Sequence, residues 1–374
     1  MHTASLSQQA LDRLLSLPDL TSHSNHALGT MVQALQTAAV ELSSNAGVAV
    51  DATLERGQRI VQAQHNYHLL GYAPDEVVLS QTHTHWVDGQ RLLRTQTTSV
   101  ILEHLERLVV HPQPTLLLAP GMVYRRDVRD KTHCGQPHQM DVWWLLPRSQ
   151  TPDDPTAWLL DLMARTLPGV STRALPTRHP YTQRGIEVQA QWQGQWLEIG
   201  EGGLIDPALL ERLGLDSTVW SGIASGWGLD RLVMVRKALP DIRLLRDPLP
   251  SIAQQMRDLR PWKAISRQPH AVRELSMARP AHETEEALTE RILEALPTEA
   301  SGCLQTVAVG KSWQAEDLPA QALERLGLAP GQWNQVVSLV WQSPARSLGR
   351  EEVNGWSRQV YRACHMGTGW AYCP

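Results

Sequence analysis

The chain has 374 residues and no phenylalanine, although it carries 14 Trp and 6 Tyr. If Phe were used only as often as Trp, drawing none would have a chance on the order of one in a million. A poor core is not the reason, because 42% of the residues are hydrophobic and 19% charged, as in an ordinary globular protein. Cysteine is scarce too. Cys134, Cys303, Cys364 and Cys373 form no CxxC pair, so neither a zinc site nor a disulfide framework is indicated, and reduced thiols in a cytoplasmic protein are expected. No run approaches roughly 18 apolar residues, and the start, MHTASLSQQALDRLL, has no basic n-region or apolar h-region, which argues against a membrane span or leader. Nor is there a basic excess: 34 Lys+Arg against 38 Asp+Glu leave a net charge of −4. That balance argues against a general DNA binder and confines any nucleic-acid contact to a local basic face.

Hydrophobic spacings of three and four, at Leu11, Leu14 and Leu15 and then at Met31, Leu35, Ala38, Ala39 and Leu42, predict helices within residues 5–44, broken near Pro18 to Asn25. Residues 1–46 read as a helical extension, a packing or docking appendage. A helix is expected over Ala52 to Leu70, followed by short β-like runs: EVVLS, PTLLLAP, MDVWWLLP, IEVQAQW and WLEIG. Few crossover helices separate them, which predicts a largely antiparallel sheet in an α+β domain over residues 47–250. DPLP and RPW bracket a linker, placed at 251–261. Beyond it, over 262–374, the order is strand (Val272 to Met277), helix (Glu283 to Leu296), two strands (Leu304 to Val309, Val336 to Val340) and helix (Gly349 to Cys364), a small α/β sandwich.

Two segments could carry chemistry. VYRRDVRDKTHCGQPHQMDVWWL places Arg125 and Arg126 at the end of a strand, then a polar loop, then a strand starting at His138. Such a loop can present guanidinium forks to a phosphate and amide or carboxylate groups to an amine, although Arg-Arg-Asp alone more often marks a solvated hairpin tip. In WSGIASGWGLDRLVM, Gly222, Gly226 and Gly228 open a helix bearing Arg231, and glycines there let a ligand approach the backbone closely. No G-x-G-x-x-G precedes a βαβ unit, so this is not a Rossmann fingerprint.

In this order, LLRTQTTSV (92–100), APGMVYRRD (119–127), THCGQPHQMD (132–141), WLEIGEGGLIDP (196–207) and GWGLDRLVM (226–234) resemble the catalytic core of the phenylalanyl-tRNA synthetase family, with class II motifs 2 and 3. WKAISRQPHAVRELSM (262–277) and SPARSLGREEVN (343–354) resemble the family's ferredoxin-fold anticodon-binding domain. Both parts in one chain are similar to the single-chain, mitochondrial type. The resemblance implies a six-stranded antiparallel class II sheet flanked by helices, a C-terminal ferredoxin-like domain, and ATP with Mg²⁺. It also implies an aminoacyl-adenylate and transfer of the amino acid to the terminal adenosine of a tRNA of the Phe type.

Carried over residue by residue, the resemblance makes Arg125 the arginine on the α-phosphate and Arg231 the one over the adenine. His133 matches a histidine near the phosphates, Asp127 and Glu198 match acidic positions near ATP or its metal, and Gln139 and Asp141 match the holders of the substrate's ammonium group. Attack of a carboxylate on the α-phosphate is mainly positioning and charge neutralisation, so fixed guanidinium groups and Mg²⁺ suit it without a protein nucleophile.

The departures cluster where the family has Phe. Its Phe-Pro-Phe turn against the substrate ring is His179-Pro180-Tyr181, its Phe-Ala-Phe-Gly floor is Ile223-Ala224-Ser225-Gly226, and the Phe stacked on adenine is Pro137. Ala224, which limits room at the para position, is kept. Thr98 stands for the usual serine and Ile101 for a glutamine. Motif 1, which normally serves dimerisation, lacks an obvious proline, so a monomer is expected. Three readings remain open: a synthetase for Phe or a Phe-like amino acid, one that charges tRNA with a different amino acid, and a paralogue recruited to another pathway. The anticodon-like part, with Lys263, Arg267, Arg273, Arg346 and Arg350 as candidate phosphate contacts, favours the first two.

Overall fold

HQMDVWWLLP is largely a continuous apolar run and WSGIASGWG mixes apolar with small residues, and these two stretches form the adjacent central strands of the main sheet. The computed structural model describes residues 5–47, 51–73, 79, 83–126, 130–263, 268–281, 283–343, 345–370 and 372. The chain divides into two compact units. Met1–Arg125, Gln136–Leu245 and Gln254–Trp262 make the first, and Arg126–Gly135, Arg246–Ala253 and Lys263–Pro374 the second.

The first unit runs α1 (Gln8–Leu15), α2 (Ala27–Asn45), β1 (Asp51–Leu54), β2 (Ile60–Gln62), β3 (Arg91–Leu93), α3 (Thr98–Leu108), β4 (Thr115–Met122), β5 (His138–Pro147), α4 (Thr156–Thr166), β6 (Thr172–Pro176), β7 (Thr182–Trp192), β8 (Gln195–Ile205), α5 (Pro207–Leu213), β9 (Trp220–Gly228) and α6 (Leu229–Lys237). Among the described residues the main sheet has seven strands in the order β1-β4-β5-β9-β8-β7-β6, one more than the resemblance implies. Among the described residues only β1 and β4 of this sheet pair in parallel, so the antiparallel expectation holds for the rest. α2, α4 and α6 pack together on one face, and α3 and α5 cover part of the other.

Two expectations need correcting. α2 is no appendage: Leu28, Met31, Leu35 and Ala39 are fully buried, and the helix packs on α4, α6 and the sheet. The helix expected over Ala52 to Leu70 is instead β1, a loop, β2 and a π-helical turn over Gln64–His68. Gly57 sits at φ +58, in the left-handed region, which ends any helix there. Hydrogen bonding of β1 to distant β4 then outweighs local helical spacing. The run EVVLS lies outside the described residues except for Leu79.

The second unit contains α7 (Pro250–Ala253), β10 (Ala271–Pro280), α8 (Glu285–Ala295), α9 (Thr298–Cys303), β11 (Leu304–Trp313), α10 (Ala320–Leu326), β12 (Gln332–Trp341) and α11 (Arg350–Cys364). Every expected strand and both long helices are present. Among the described residues the sheet is antiparallel, ordered β10-β12-β11. That is the arrangement of the first three strands of a ferredoxin-like β-α-β-β-α-β motif. Leu275, Met277, Leu288, Ile292, Val337, Leu339, Val353 and Val360 form its core.

Tryptophan fills space in a protein without Phe, and its N–H then needs an acceptor. Trp143, Trp192 and Trp227 find one, in Asp141 Oδ2, the Leu239 carbonyl and Ser225 Oγ. The buried indole N–H groups of Trp144, Trp158 and Trp341 do not, among the described residues. An unsatisfied buried donor costs about 1–3 kcal/mol. Trp341→Phe is therefore expected to change unfolding stability by no more than about 1 kcal/mol, because removing the orphan donor offsets the smaller ring. Trp341→Ala is expected to lose about 3–5 kcal/mol. Chemical denaturation checks both; a loss above about 2 kcal/mol for the Phe variant would mean the indole packs better than its missing partner implies.

Candidate active site

The site lies on the face of the first unit's sheet that α3 and α5 only partly cover. Residues directly opposite across antiparallel strands share a face. One lateral row therefore runs Ala119 (β4), Asp141 (β5), Gly226 (β9), Glu201 (β8) and Glu187 (β7), and neighbouring rows on that face hold Trp143 with Ala224 and Gln139 with Gly228. From Ala224 onward this face of β9 carries only Ala224, Gly226 and Gly228, so the sheet is troughed there. The trough is open: a Cβ on Gly226 would meet nothing nearer than Asp141 Oδ1 at 3.8 Å. Gly200 and Gly202 on the opposite face are different, since a Cβ there would strike the Trp227 ring and the Ala224 carbonyl. Those two glycines serve packing.

Asp141 is buried at one side of the trough and held by three donors. Thr97 Oγ1 donates to Oδ1 at 2.6 Å, and Thr98 Oγ1 and Trp143 Nε1 donate to Oδ2 at 2.8 and 3.0 Å. Burial pushes its carboxyl from 3.8 up to about 6, and the charge of Glu201 adds to that, against the three hydrogen bonds. Thr98 thus acts on Asp141. Gln139, next along β5, has no side-chain partner among the described residues, which leaves its amide available to a ligand.

Arg125 follows β4. Its Nε donates to the Thr95 carbonyl at 3.0 Å, and among the described residues Nη1 and Nη2 have no partner. Thr95 is itself fixed: its N–H donates to Asn66 Oδ1 at 3.1 Å and its hydroxyl accepts from Asn66 Nδ2 at 2.8 Å. Arg94, 1% exposed, anchors the same segment by donating to the carbonyls of Met122 and Arg56 at 2.9 and 2.5 Å. Its guanidinium occupies the space where a Cβ of Gly121 would sit.

Arg231, in the first turn of α6, donates to the Glu198 carbonyl at 3.0 Å and to Glu198 Oε2 at 3.3 Å. Simple alternation would put Glu198 and Glu201 on opposite faces of β8. The register shift that pairs Val188 with Gly200 and Gln189 with Glu198 makes Ile199 an extra residue, and this bulge returns Glu198 to the trough face. The helix carrying Arg231 is tied to β5 through Asp230, which accepts from the His138 backbone N–H. His138 Nε2 accepts from Leu20 N–H at 3.2 Å, so Nδ1 carries the proton, 3.4 Å from Asp230 Oδ2. Neither Asp230 nor Leu20 was legible as a supporting group; Asp230 stood beside Arg231 in the sequence.

At the other side of the trough His179 Nε2 lies 2.7 Å from Glu201 Oε2. Burial opposes protonation of His179, but the hydrogen bond and charge of Glu201, with the charges of Glu198 and Glu187, outweigh it and raise its pKa. The Tyr181 ring is stacked on Trp143, with centroids 6.1 Å apart and planes 12° from parallel, and lies 5.8 Å from the His179 ring. Burial, then Glu201, Tyr72 and Asp141, push the Tyr181 phenol well up, while Arg125 draws it down, so these groups share one neighbourhood. Pro137 directly precedes β5, where its carbonyl accepts from Val123 N–H at 2.8 Å.

In the second unit His133 Nδ1 lies 2.9 Å from Asp130 Oδ1. Burial opposes ionisation of Asp130, but His133 and Thr132 lower its carboxyl to about 2. Arg126 pairs with Glu290 at 3.1 Å, and Arg346 with Glu299 and Glu352. Asp127 and Arg267 lie outside the described residues.

Residues 22–256 match the family model for the tRNA synthetases class II core domain (F), nearly two thirds of the chain. The chain belongs to that family. Phenylalanine--tRNA ligase alpha subunits are among its relatives: from Prochlorococcus marinus strain MIT 9312 at 34% identity over 191 residues (51% of this chain, 54% of the relative), from strain MIT 9313 at 35% over 209 residues (55% and 59%), and from Thermosynechococcus vestitus at 32% over 196 residues (52% and 57%). The chain thus spans little more than half the length of these curated relatives. The match includes α2, β1 and every residue of the trough. A class II core accounts for the largely antiparallel sheet. Among the described residues no group of three or more His, Cys, Asp or Glu could hold a metal ion. Mg²⁺ in nucleotide sites is held by one or two carboxylates and by phosphate oxygens, and the half-exposed Glu198 on the trough face fits such a role. No helix among the described residues is long and apolar enough to cross a membrane.

Proposed function

We propose that this protein activates an aromatic amino acid with ATP and transfers it to a tRNA of the Phe type. The observation that carries this reading is Arg125, whose guanidinium is fixed at Nε and keeps both terminal nitrogens open beside the trough. A fork of that kind suits an α-phosphate whose charge grows as the amino-acid carboxylate attacks. Arg231 covers the adenine, Gln139 and the charge of Asp141 receive the ammonium group, and Glu198 supplies a carboxylate to Mg²⁺. The metal, when bound, neutralises phosphate charge. By the resemblance of the motif 2 loop, His133 and Asp127 are assigned to ATP as well. Residues 47–250 with α2 form the catalytic part, and 262–374 bind the anticodon arm; the β10-β12-β11 arrangement supports the latter. The chain works as a monomer in the cytoplasm, where its tRNA is.

Amino-acid-dependent ATP–pyrophosphate exchange tests the first step, and charging of tRNA the second. Exchange is expected with Phe or a ring-substituted relative; none with any of the twenty amino acids or such analogues would end this reading.

The missing phenylalanines fit the same function. A protein without Phe codons is made unimpaired when Phe-tRNA is scarce or wrongly charged. Reintroducing Phe at surface positions should lower yield under Phe limitation and not otherwise, and equal yields would remove the link.

A further inference from the structure

We propose that Glu201, with His179, sets the side-chain specificity of the amino-acid site and selects an aromatic amino acid whose ring carries a hydroxyl group. This rests on the synthetase reading above and narrows its substrate. Avoidance of Phe explains why His179 and Tyr181 are not Phe, as any other residue would satisfy it. It does not explain a carboxylate on β8 beside them.

Glu201 stands directly opposite Gly226, which stands opposite Asp141. Strands are about 4.8 Å apart, so the two carboxylates flank the open trough at backbone positions roughly 10 Å from each other. In a site that must receive triphosphate, another negative charge weakens nucleotide binding and adds to the burial that already holds the Asp141 proton. A charge kept under those conditions points to a ligand group that needs it.

The surroundings name that group. The stacked Trp143 and Tyr181 rings, with Ala224 opposite Trp143, make a flat apolar wall suited to an aromatic ring. Glu201 is 35% exposed, and His179 holds only its Oε2; Oε1 has no partner among the described residues. The Tyr181 side chain, 8% exposed, has no hydrogen bond through its hydroxyl among the described residues. An acceptor and a donor–acceptor are thus left over next to an aromatic wall. A ring hydroxyl satisfies both by donating to Glu201 and accepting from Tyr181. A phenyl ring satisfies neither and strands both groups, each worth about ten-fold. Sites built to bond a substrate hydroxyl reject the analogue without it strongly.

The test is ATP–pyrophosphate exchange by the full chain with Phe and with ortho-, meta- and para-tyrosine as probes. One hydroxylated isomer is expected to exceed Phe in kcat/KM by about a hundred-fold or more. Glu201→Ala is expected to cut that ratio at least ten-fold, and His179→Phe to cut it in the same direction, with thermal unfolding confirming that both variants fold. Phe used as well as or better than every hydroxylated isomer would overturn the specificity and leave the synthetase reading intact. A ratio unchanged in folded Glu201→Ala would overturn the assignment to this residue. No exchange with any probe or natural amino acid would overturn the synthetase reading itself.

Discussion

Replacing Arg125 by alanine is expected to lower amino-acid-dependent ATP–pyrophosphate exchange by at least about a thousand-fold while the protein stays folded. The size follows from its place. A single preorganised donor to a developing oxyanion contributes about 10²–10³ in rate, and an arginine that neutralises a transferring phosphoryl group about 10³–10⁵. Arg125 offers two free nitrogens and no carboxylate pairs with it among the described residues, so its charge is available to a ligand. The structural loss is one hydrogen bond to the Thr95 carbonyl, about 1 kcal/mol. Arg125→Lys keeps the charge as a point but not the fork, and should recover only part of the rate. Exchange kinetics with a thermal melt on each variant separate the two effects. A near-normal rate in folded Arg125→Ala would show that another cation meets the α-phosphate.

The legible parts of the fold were those in which local pattern and tertiary setting agree. β5 is a nearly continuous apolar run, β7 alternates between buried and partly exposed positions, and α8 and α11 carry helical spacing; each was expected within a few residues of its position. β1 was not, because its state is set by parallel pairing with β4, some sixty residues on, a partner that spacing within residues 52–70 does not reveal. α2 was recognised as a helix, but what covers it is a tertiary matter: it packs on α4 and α6, far along the chain. In the candidate site, Arg125, Arg231, Gln139 and Asp141 were singled out by motif order, through its resemblance to a known family. Glu201 was not. Glu198 and Glu201 differ by an odd number of positions, so alternation assigns them to opposite faces, and only the bulge at Ile199 brings both to the trough. Thr98 was expected at the substrate, and its hydroxyl donates to Asp141, a contact that motif order did not reveal.

Asp141→Asn is expected to flatten the stability–pH profile between about pH 4 and 7 and, at the same time, to impair amino-acid activation. Burial in the folded protein raises this carboxyl from 3.8 to about 6. The folded state therefore binds the Asp141 proton more tightly than the unfolded chain does. The stability this contributes is fully present below about pH 4 and is lost as pH rises through about 6, which amounts to about 3 kcal/mol for the group. Asparagine is isosteric and uncharged, and it can satisfy the same neighbours: its oxygen accepts from Thr98 and Trp143, and its N–H donates to the Thr97 hydroxyl. Chemical denaturation of parent and variant across pH 4 to 8 should show the variant gaining about 3 kcal/mol on the parent between pH 4 and 7. A constant difference would mean that Asp141 stays ionised throughout. Asp141→Ala serves as the contrast, because it strands three buried donors and should destabilise at every pH. A buried carboxylate that weakens the fold at neutral pH needs a compensating use, and the use we propose for it is to receive the substrate's ammonium group. Exchange by folded Asp141→Asn should accordingly fall by about a hundred-fold, chiefly through a higher KM for the amino acid, since the missing charge acts on the bound ground state as well as on the transition state.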